Sequence, residues 1–257
     1  MSRIPTDTPQ GSRFIEATWP TPGGVRAGVT TRLGGHSQPP FDAFNLARHV
    51  GDDDQAVAAN REELVDMLDL PEAPRWLSQV HGTTVVGPGV PTDQPEGDAA
   101  FTDRPGEVLA VLTADCLSIT LASHDGKEIA VAHAGWRGLA GGVIERTVDR
   151  FSVAGDELMA WLGPAIGPAH FEVGEEVREA FMREHPADAS AFRTAAAPGK
   201  YHADLFALAR ARLRRQGITR VYGGERDTFG QADLFYSYRR DRGETGRMAT
   251  LIWREHD

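Results

Sequence analysis

Two histidines and the only cysteine of the chain each stand beside strand-like sequence. His81 follows an apolar run, Cys116 lies between two apolar segments, and His133 ends a third one, just before a glycine-rich turn. Two imidazoles and one thiolate suit zinc, and three protein ligands with a fourth position left open are typical of a catalytic site. The wide spacing matches no short metal motif. An alternative therefore stays open, in which Cys116 is a core residue and each histidine is satisfied locally.

Two aspartates near these residues are candidates for general acid/base chemistry, namely Asp98 and Asp115. Side chains alternate along a strand, so Asp115 and Cys116 would face opposite sides unless the chain bends there. Asp98 follows a glycine, and an aspartate in that position is also common in turns.

Several arginines could hold an anion such as phosphate. Arg137 begins a predicted helix, where backbone N–H groups also favour negative charge. Arg48 and Arg61 lie in or near polar segments, and Asn45 belongs to what we interpret as an ordered loop. For any single arginine, an ordinary surface role is the competing interpretation.

Composition limits the classes of function. The chain has 257 residues, 40% of them hydrophobic, and a net charge of −10, which argues against nonspecific binding to nucleic acid or to an anionic membrane surface. No apolar run approaches the roughly 20 residues of a membrane span. A single cysteine cannot form an internal disulfide, so we expect a reducing, cytoplasmic location. Residues 1–12 are expected to form a flexible arm.

Hydrophobic periodicity predicts that strands and helices alternate along the chain. The predicted strands are 25–30, 107–113, 117–122, 128–133, 158–162, 218–222 and 248–253. The predicted helices are 54–70, 138–151, 174–184 and 204–216. We find no repeat and no clear linker, so we predict one α/β domain over 1–257 with a mixed sheet.

Short motifs along nearly the whole chain resemble one known family. It was long labelled multicopper polyphenol oxidoreductase, or laccase-domain protein, and is now described as a purine nucleoside phosphorylase and adenosine deaminase family. The matching segments are 28–35 (GVTTRLGG), 44–46 (FNL), 49–52 (HVGD), 60–61 (NR), 76–82 (WLSQVHG), 113–117 (TADCL), 133–138 (HAGWRG), 162–167 (LGPAIG), 171–174 (FEVG), 237–240 (SYRR) and 245–248 (TGRM).

This resemblance implies that His81, Cys116 and His133 bind a metal, usually zinc, with copper as another possibility. It implies a compact α/β fold of mixed sheet layers flanked by helices, similar to a toxin-deamidase-like cysteine hydrolase domain. The implied reactions are phosphorolysis of adenosine, inosine, guanosine and methylthioadenosine, and deamination of adenosine. The partners would then be small purine nucleosides and phosphate, with the protein a monomer or homodimer. One departure is visible, because Asp227 stands where family members often have cysteine.

Three other functions stay open at this point. A copper-dependent polyphenol oxidase would need further copper ligands, and none of the nine histidines is separated from another by a single residue, so a four-copper enzyme is disfavoured. Some relatives resemble peptidoglycan editing factors, in which Cys116 would be the nucleophile and His133 the base of an amide-cleaving pair. A non-enzymatic, zinc-stabilised binding module is the third alternative.

Overall fold

A computed structural model of the chain describes residues 11–90 and 94–255. The strands are β1 (Phe14–Glu16), β2 (Val25–Thr30), β3 (Val85–Val86), β4 (Ala99–Thr102), β5 (Val108–Thr113), β6 (Leu117–Ser123), β7 (Ile129–Ala134), β8 (Leu158–Leu162), β9 (Glu172–Gly174), β10 (Phe192–Thr194), β11 (Lys200–Ala203), β12 (Arg220–Gly223) and β13 (Met248–Arg254). The α-helices are α1 (Asp54–Leu68), α2 (Trp136–Gly141), α3 (Val143–Val148), α4 (Glu175–Met182) and α5 (Leu205–Arg215).

The strands form three sheets. A four-stranded antiparallel sheet has the order β1-β2-β13-β5, and a six-stranded mixed sheet has the order β12-β8-β6-β7-β4-β3. In the six-stranded sheet the two outer pairs, β12 with β8 and β3 with β4, are parallel, and the inner pairs are antiparallel. The order of the small third sheet is β10-β11-β9.

Alternating side chains show how these sheets are layered. Along β5, Leu109 and Val111 belong to an apolar cluster that also contains Val131 of the six-stranded sheet, so the two large sheets pack face to face. Ala110 and Leu112 join a second cluster, on the outer face of the four-stranded sheet, which α1 covers. A third cluster fills the space between the six-stranded sheet and helices α2 to α5. The result is one α/β domain with two inner sheets and helices on both sides.

The structure confirms most predicted elements, divides one predicted helix in two and shortens another. Strands 25–30 and 158–162 have the predicted bounds. The single helix predicted at 138–151 is instead two short helices, because Gly142 between them has φ +94°, which no right-handed helix allows. The helix predicted at 54–70 ends at Leu68, where Asp69 takes a left-handed conformation and caps the last turn.

Two expectations about the whole chain can be compared with this structure. No helix within residues 11–90 and 94–255 is both long and apolar enough to cross a membrane. The flexible arm expected over 1–12 falls mainly on residues 1–10, which lie outside the described residues.

Candidate metal centre and active-site cavity

The fold brings His81, Cys116 and His133 together. Their ligand atoms all lie within 4.8 Å of one another, and Cys116 Sγ is 4.0 Å from His81 Nε2. His133 is on the buried β7, Cys116 lies in the turn between β5 and β6, and His81 lies in the loop before β3. The two imidazole rings meet edge to face, with centroids 4.8 Å apart. Residues from three separate parts of the chain thus form one cluster of two imidazoles and one thiol.

Asp98, fully buried behind the cluster, organises two of its members. Its Oδ1 accepts a hydrogen bond from His133 Nδ1 at 2.8 Å and from the backbone N–H of His81 at 2.9 Å. Its Oδ2 accepts the backbone N–H groups of Val80 at 3.2 Å and Gly82 at 2.6 Å. Both oxygens are therefore used inside the protein, and Asp98 is not among the residues that line the cavity described below.

The backbone is held in unusual conformations at two points beside the cluster. His81 has φ +60° and Asp115 has φ +85°, values that non-glycine residues rarely adopt and that cost of order 1–3 kcal/mol. The Asp98 carboxylate holds the first turn through its three backbone N–H bonds. The second turn is the bend that lets Asp115 and Cys116 both border the cavity described below.

Gly135 leaves open the space between the three side chains. A β-carbon there would lie 2.9 Å from Cys116 Sγ, 3.2 Å from His81 Cδ2 and 3.3 Å from His133 Nε2. Only glycine keeps this space free of side-chain atoms. Two imidazole nitrogens and one sulfur around such a space fit the ligand preference of zinc or of another nitrogen- and sulfur-binding metal.

The contacts within the cluster favour the thiolate form of Cys116. Burial alone would raise the pKa of the Cys116 thiol, but hydrogen bonds with His133 and His81 outweigh it and lower the pKa to about 6. Burial would likewise lower the pKa of His133, yet its contacts with Asp98 and Cys116 raise it to about 9. The thiolate, which is the form that binds metals and attacks electrophiles, is therefore favoured near neutral pH.

The cluster opens into a cavity of about 440 Å³, within the range of small-molecule sites. The cavity lies where β5 ends, β13 begins and β7 ends, at one end of both inner sheets. Its lining residues are His49, Gln79, His81, Leu112, Thr113, Ala114, Asp115, Cys116, His133, Trp136, Arg137, Ile166, Phe171, Tyr238, Arg239 and Arg247.

A family model described as multi-copper polyphenol oxidoreductase laccase matches residues 26–255. The chain belongs to this family. The match includes all three residues of the cluster and every residue of the cavity wall, so the site is part of the family domain.

Curated relatives that are similar to nearly the whole chain carry the name purine nucleoside phosphorylase. A Pseudomonas aeruginosa protein of that name is 52% identical over 240 residues, which covers 93% of this chain and 98% of the relative. An Escherichia coli protein of that name is 48% identical over 243 residues, covering 94% and 99% of the two chains.

Solved structures of similar proteins have the same fold. A crystal structure of a Neisseria meningitidis protein superposes with a TM-score of 0.90 at 45% identity, covering 95% of this chain and all of that one. A Geobacillus stearothermophilus protein gives a TM-score of 0.90 at 33% identity, covering 98% and 99% of the two chains.

Within this laccase-family domain, Asp115 borders the cavity, but its carboxylate is hydrogen-bonded to two loops of the protein. Its Oδ1 accepts a hydrogen bond from Thr228 Oγ1 at 2.6 Å, and its Oδ2 accepts bonds from Ser237 Oγ at 3.0 Å and the backbone N–H of Arg239 at 2.7 Å. The carboxylate thereby ties two distant loops to the turn that carries Cys116.

The three predicted anion-binding arginines are placed differently from one another. Arg137 lines the cavity and is exposed. Arg61 does not border the cavity: its guanidinium lies 4.1 Å from the centre of the Trp76 ring and donates to the backbone carbonyl of Leu46. Burial, and then the positive charge of Arg48, lower the pKa of Arg61 to about 10. Arg48 is exposed and also lies outside the cavity wall.

Asn45 is fully buried and its amide is engaged within the protein. Its Oδ1 accepts the backbone N–H of Arg247 at 2.9 Å and that of Ala47 at 3.0 Å, and its Nδ2 donates to Asp52 at 2.8 Å. Asn45 therefore does not face the cavity but fixes the segment that carries Arg247.

Arg247 and Arg239 were not singled out as anion ligands from the sequence, although both line the cavity. Arg247 lies directly before β13, and its guanidinium donates to the carbonyls of Thr245 and Gly246. The sequence did contain a signal for both arginines, because Arg239 and Arg247 lie in segments 237–240 and 245–248 of the family resemblance.

Proposed function

We propose that this protein is a metal-dependent purine nucleoside phosphorylase. The observation that carries the proposal is that the His81, Cys116 and His133 cluster and the guanidinium of Arg247 border the same 440 Å³ cavity. In phosphorolysis, phosphate must be held beside C1′ of the ribose while charge develops on the sugar and on the departing base, so a polarising centre next to a cationic wall suits the reaction. Two relatives are named purine nucleoside phosphorylase, and the similarity covers nearly the whole length of each, which supports the same reaction here.

We further propose that the metal is zinc, held by His81, Cys116 and His133. Zinc in such a site supplies Lewis acidity and orientation of an oxygen ligand. The chain's own contribution is to fix the ligands. Because Asp98 accepts a hydrogen bond at Nδ1 of His133, the lone pair of that ring is directed to Nε2, on the side where Cys116 and Gly135 lie.

The phosphate would bind at the positively charged part of the wall. Arg247 is half-buried, and burial lowers the pKa of its guanidinium. His49 stands beside it, and burial followed by the charges of Arg247 and Arg61 lowers the pKa of the His49 ring. Arg61 and Arg48 lie behind this wall, and we propose that they add positive potential without touching the phosphate. Nη2 of Arg61 is buried and has no hydrogen-bond partner among the described residues, so its charge is not fully compensated.

The purine nucleoside would occupy the rest of the cavity. Trp136, Phe171 and Tyr238 add aromatic surface to the cavity wall against which a base could pack, and Tyr238 is 55% exposed. We propose adenosine deamination as a second reaction of the same cavity. In it Asp98 and Asp115 act by holding His133, His81 and the Cys116 turn in place.

A second candidate function uses the same cluster without metal. Cys116, His133 and Asp98 follow one another as nucleophile, base and base-orienting carboxylate, and the lowered pKa of Cys116 favours its thiolate. This arrangement could cleave an amide, such as that of a peptidoglycan precursor.

Turnover of adenosine by zinc-loaded protein, with and without phosphate, tests the proposal. Adenine formation that requires phosphate and is lost in His81→Ala and Cys116→Ala is the expected result. Adenosine untouched under all conditions, with release of an amino acid from a muramyl peptide precursor that persists in a chelator, would instead establish the amidase. Inosine in the same chromatograms reports deamination.

Three finer expectations remain part of this proposal. They are a cytoplasmic location, a monomeric or homodimeric state, and a likeness to the toxin-deamidase type of cysteine hydrolase fold. The single cysteine with its low pKa supports a reducing compartment, where the thiol stays available to a metal.

A further inference from the structure

Two further arginines line the cavity and are more exposed than the half-buried Arg247. Arg137 and Arg239 both line the cavity and both are exposed. The guanidinium of Arg137 lies over the Trp136 ring at 4.4 Å, and that of Arg239 lies over the Phe171 ring at 5.5 Å. A guanidinium held over an aromatic face keeps N–H donors at its edge for an anion. We call Arg137 and Arg239 the rim arginines.

The charge of the rim arginines is not neutralised by the protein. Within residues 11–90 and 94–255, neither forms an ion pair with a carboxylate, and Arg137 donates no side-chain hydrogen bond. Arg239 donates one bond, to the backbone carbonyl of Glu172 at 2.9 Å. Asp115 is the one carboxylate among the described residues of the cavity wall, and it accepts hydrogen bonds from Thr228, Ser237 and a backbone N–H. This local excess of positive charge occurs in a chain of net charge −10.

If one orthophosphate binds at Arg247, the exposed rim arginines are left without an assigned anion. If phosphate sits against Arg247, C1′ of the ribose has to lie beside it, because that is the atom phosphate attacks. The base and C5′ then extend from the ribose toward the opening. A group attached to C5′ would meet the rim arginines.

We propose that the rim arginines bind a phosphate carried by the ligand itself, so that the cavity takes purine nucleoside 5′-phosphates in competition with nucleosides. The orientation rests on the proposed phosphorylase function. The positive rim and its two aromatic faces do not depend on it, because they follow from the contacts of Arg137 and Arg239 alone.

Adenosine 5′-monophosphate is the probe. It is titrated calorimetrically into the full-length, zinc-loaded protein and added to the adenosine phosphorolysis assay. We expect it to bind and to raise the apparent KM for adenosine at constant kcat. In the Arg137→Ala/Arg239→Ala double variant, the affinity for the nucleotide should fall at least tenfold more than the affinity for adenosine, because two charge-assisted contacts are lost.

Arg26→Ala is the matched control. It removes an arginine that also lies over an aromatic ring, that of Trp253 at 5.1 Å, but outside the cavity, so nucleotide binding should not change. Three results would overturn the inference: no binding of the nucleotide, competition with orthophosphate alone, or equal losses for nucleotide and nucleoside in the double variant. Nucleotide binding that requires the rim arginines in a protein without adenosine turnover would support the rim site while the phosphorylase proposal fails.

Discussion

Asp98 Oδ1 lies 2.8 Å from Nδ1 of His133, on the side of the ring away from the cavity. The same carboxylate holds the His81 turn, so one buried group orients two of the three candidate ligands. A carboxylate behind a ligating histidine fixes its tautomer and ring orientation, and its loss typically costs 10–100-fold in metal affinity.

We therefore expect Asp98→Asn to lower zinc affinity by about 10–100-fold. The measurement is a zinc titration against a competing chelator, with Asp103→Asn as a control that changes an exposed carboxylate just after β4. Unchanged zinc affinity in Asp98→Asn would show that the carboxylate does not position the ligands.

Gly135→Ala should empty the metal site while leaving the fold in place. The added carbon would lie 2.9 Å from Cys116 Sγ and within 3.3 Å of atoms of both histidines, in the space a metal would use. Metal content after dialysis and circular dichroism together test this. Gly23→Ala is the control, because its β-carbon would meet nothing within 4 Å. Full metal content in Gly135→Ala would contradict the proposed position of the ion.

Asn45→Ala should weaken phosphate use through Arg247. The amide oxygen holds the backbone N–H of Arg247 at 2.9 Å, and its loss leaves a buried donor unpaired at a cost of about 1–3 kcal/mol. We expect the KM for phosphate to rise several-fold more than the KM for adenosine, as it should in Arg247→Lys. A KM change confined to the nucleoside would place phosphate elsewhere on the wall.

The sequence predicted the central strands well and the peripheral ones poorly. Strands of the two large sheets, such as 108–113, are continuous apolar runs in the sequence because both faces of the strand are buried. Strands β9, β10 and β11 were missed, since they have three or four residues with mostly partial burial and no lasting periodicity. Ala99–Thr102 was missed as well, because four residues are too few to show a period.

The metal cluster could be predicted from residue type, and the rest of the site could not. Cysteine and histidine are rare and chemically distinctive, so His81, Cys116 and His133 stand out in any arrangement. Arginines are common at surfaces, and only the fold shows that Arg247 faces the cavity while Arg61 lies behind it. The positioning role of Asp98 depends on long-range contacts that no local pattern encodes.

The Asp227 carboxylate should make the free energy of unfolding decrease at acidic pH. Burial opposes its ionised form, but hydrogen bonds from Gly167, His170 and Phe229 outweigh burial and lower the pKa of Asp227. Because the folded-state pKa lies below the unfolded value of about 3.9, its stabilisation is complete above that pH and is lost as pH falls through the folded pKa. Asp227→Asn should be less stable than the parent at pH 6, with the difference shrinking toward pH 3.

Denaturant unfolding of both proteins at several pH values measures this difference. Glu72→Gln alters an exposed carboxylate after α1, so its free energy of unfolding should follow that of the parent at every pH. A constant difference between Asp227→Asn and the parent would show that the loop is held by hydrogen bonds that do not need the charge.

Thr113 borders the cavity, and its hydroxyl lacks a hydrogen-bond partner among the described residues. The residue is 2% exposed, it borders the cavity at the end of β5, and its Oγ1 has no hydrogen-bond partner among the described residues. A buried, unsatisfied hydroxyl costs about 1–3 kcal/mol, so the nearly isosteric Thr113→Val should leave the free protein as stable or more stable. If the hydroxyl serves the ligand, the same variant should bind adenosine more weakly.

The two effects of Thr113→Val have opposite signs, which separates a binding role from a structural one. Thermal unfolding with and without adenosine measures both, and the stabilisation by adenosine should shrink in the variant while the Tm of the free protein does not fall. Thr120→Val provides the comparison, since Thr120 Oγ1 is equally buried and unpartnered but lies outside the cavity wall. Equal stabilisation by adenosine in the two variants would mean that the Thr113 hydroxyl plays no part in binding, because only Thr113 borders the cavity.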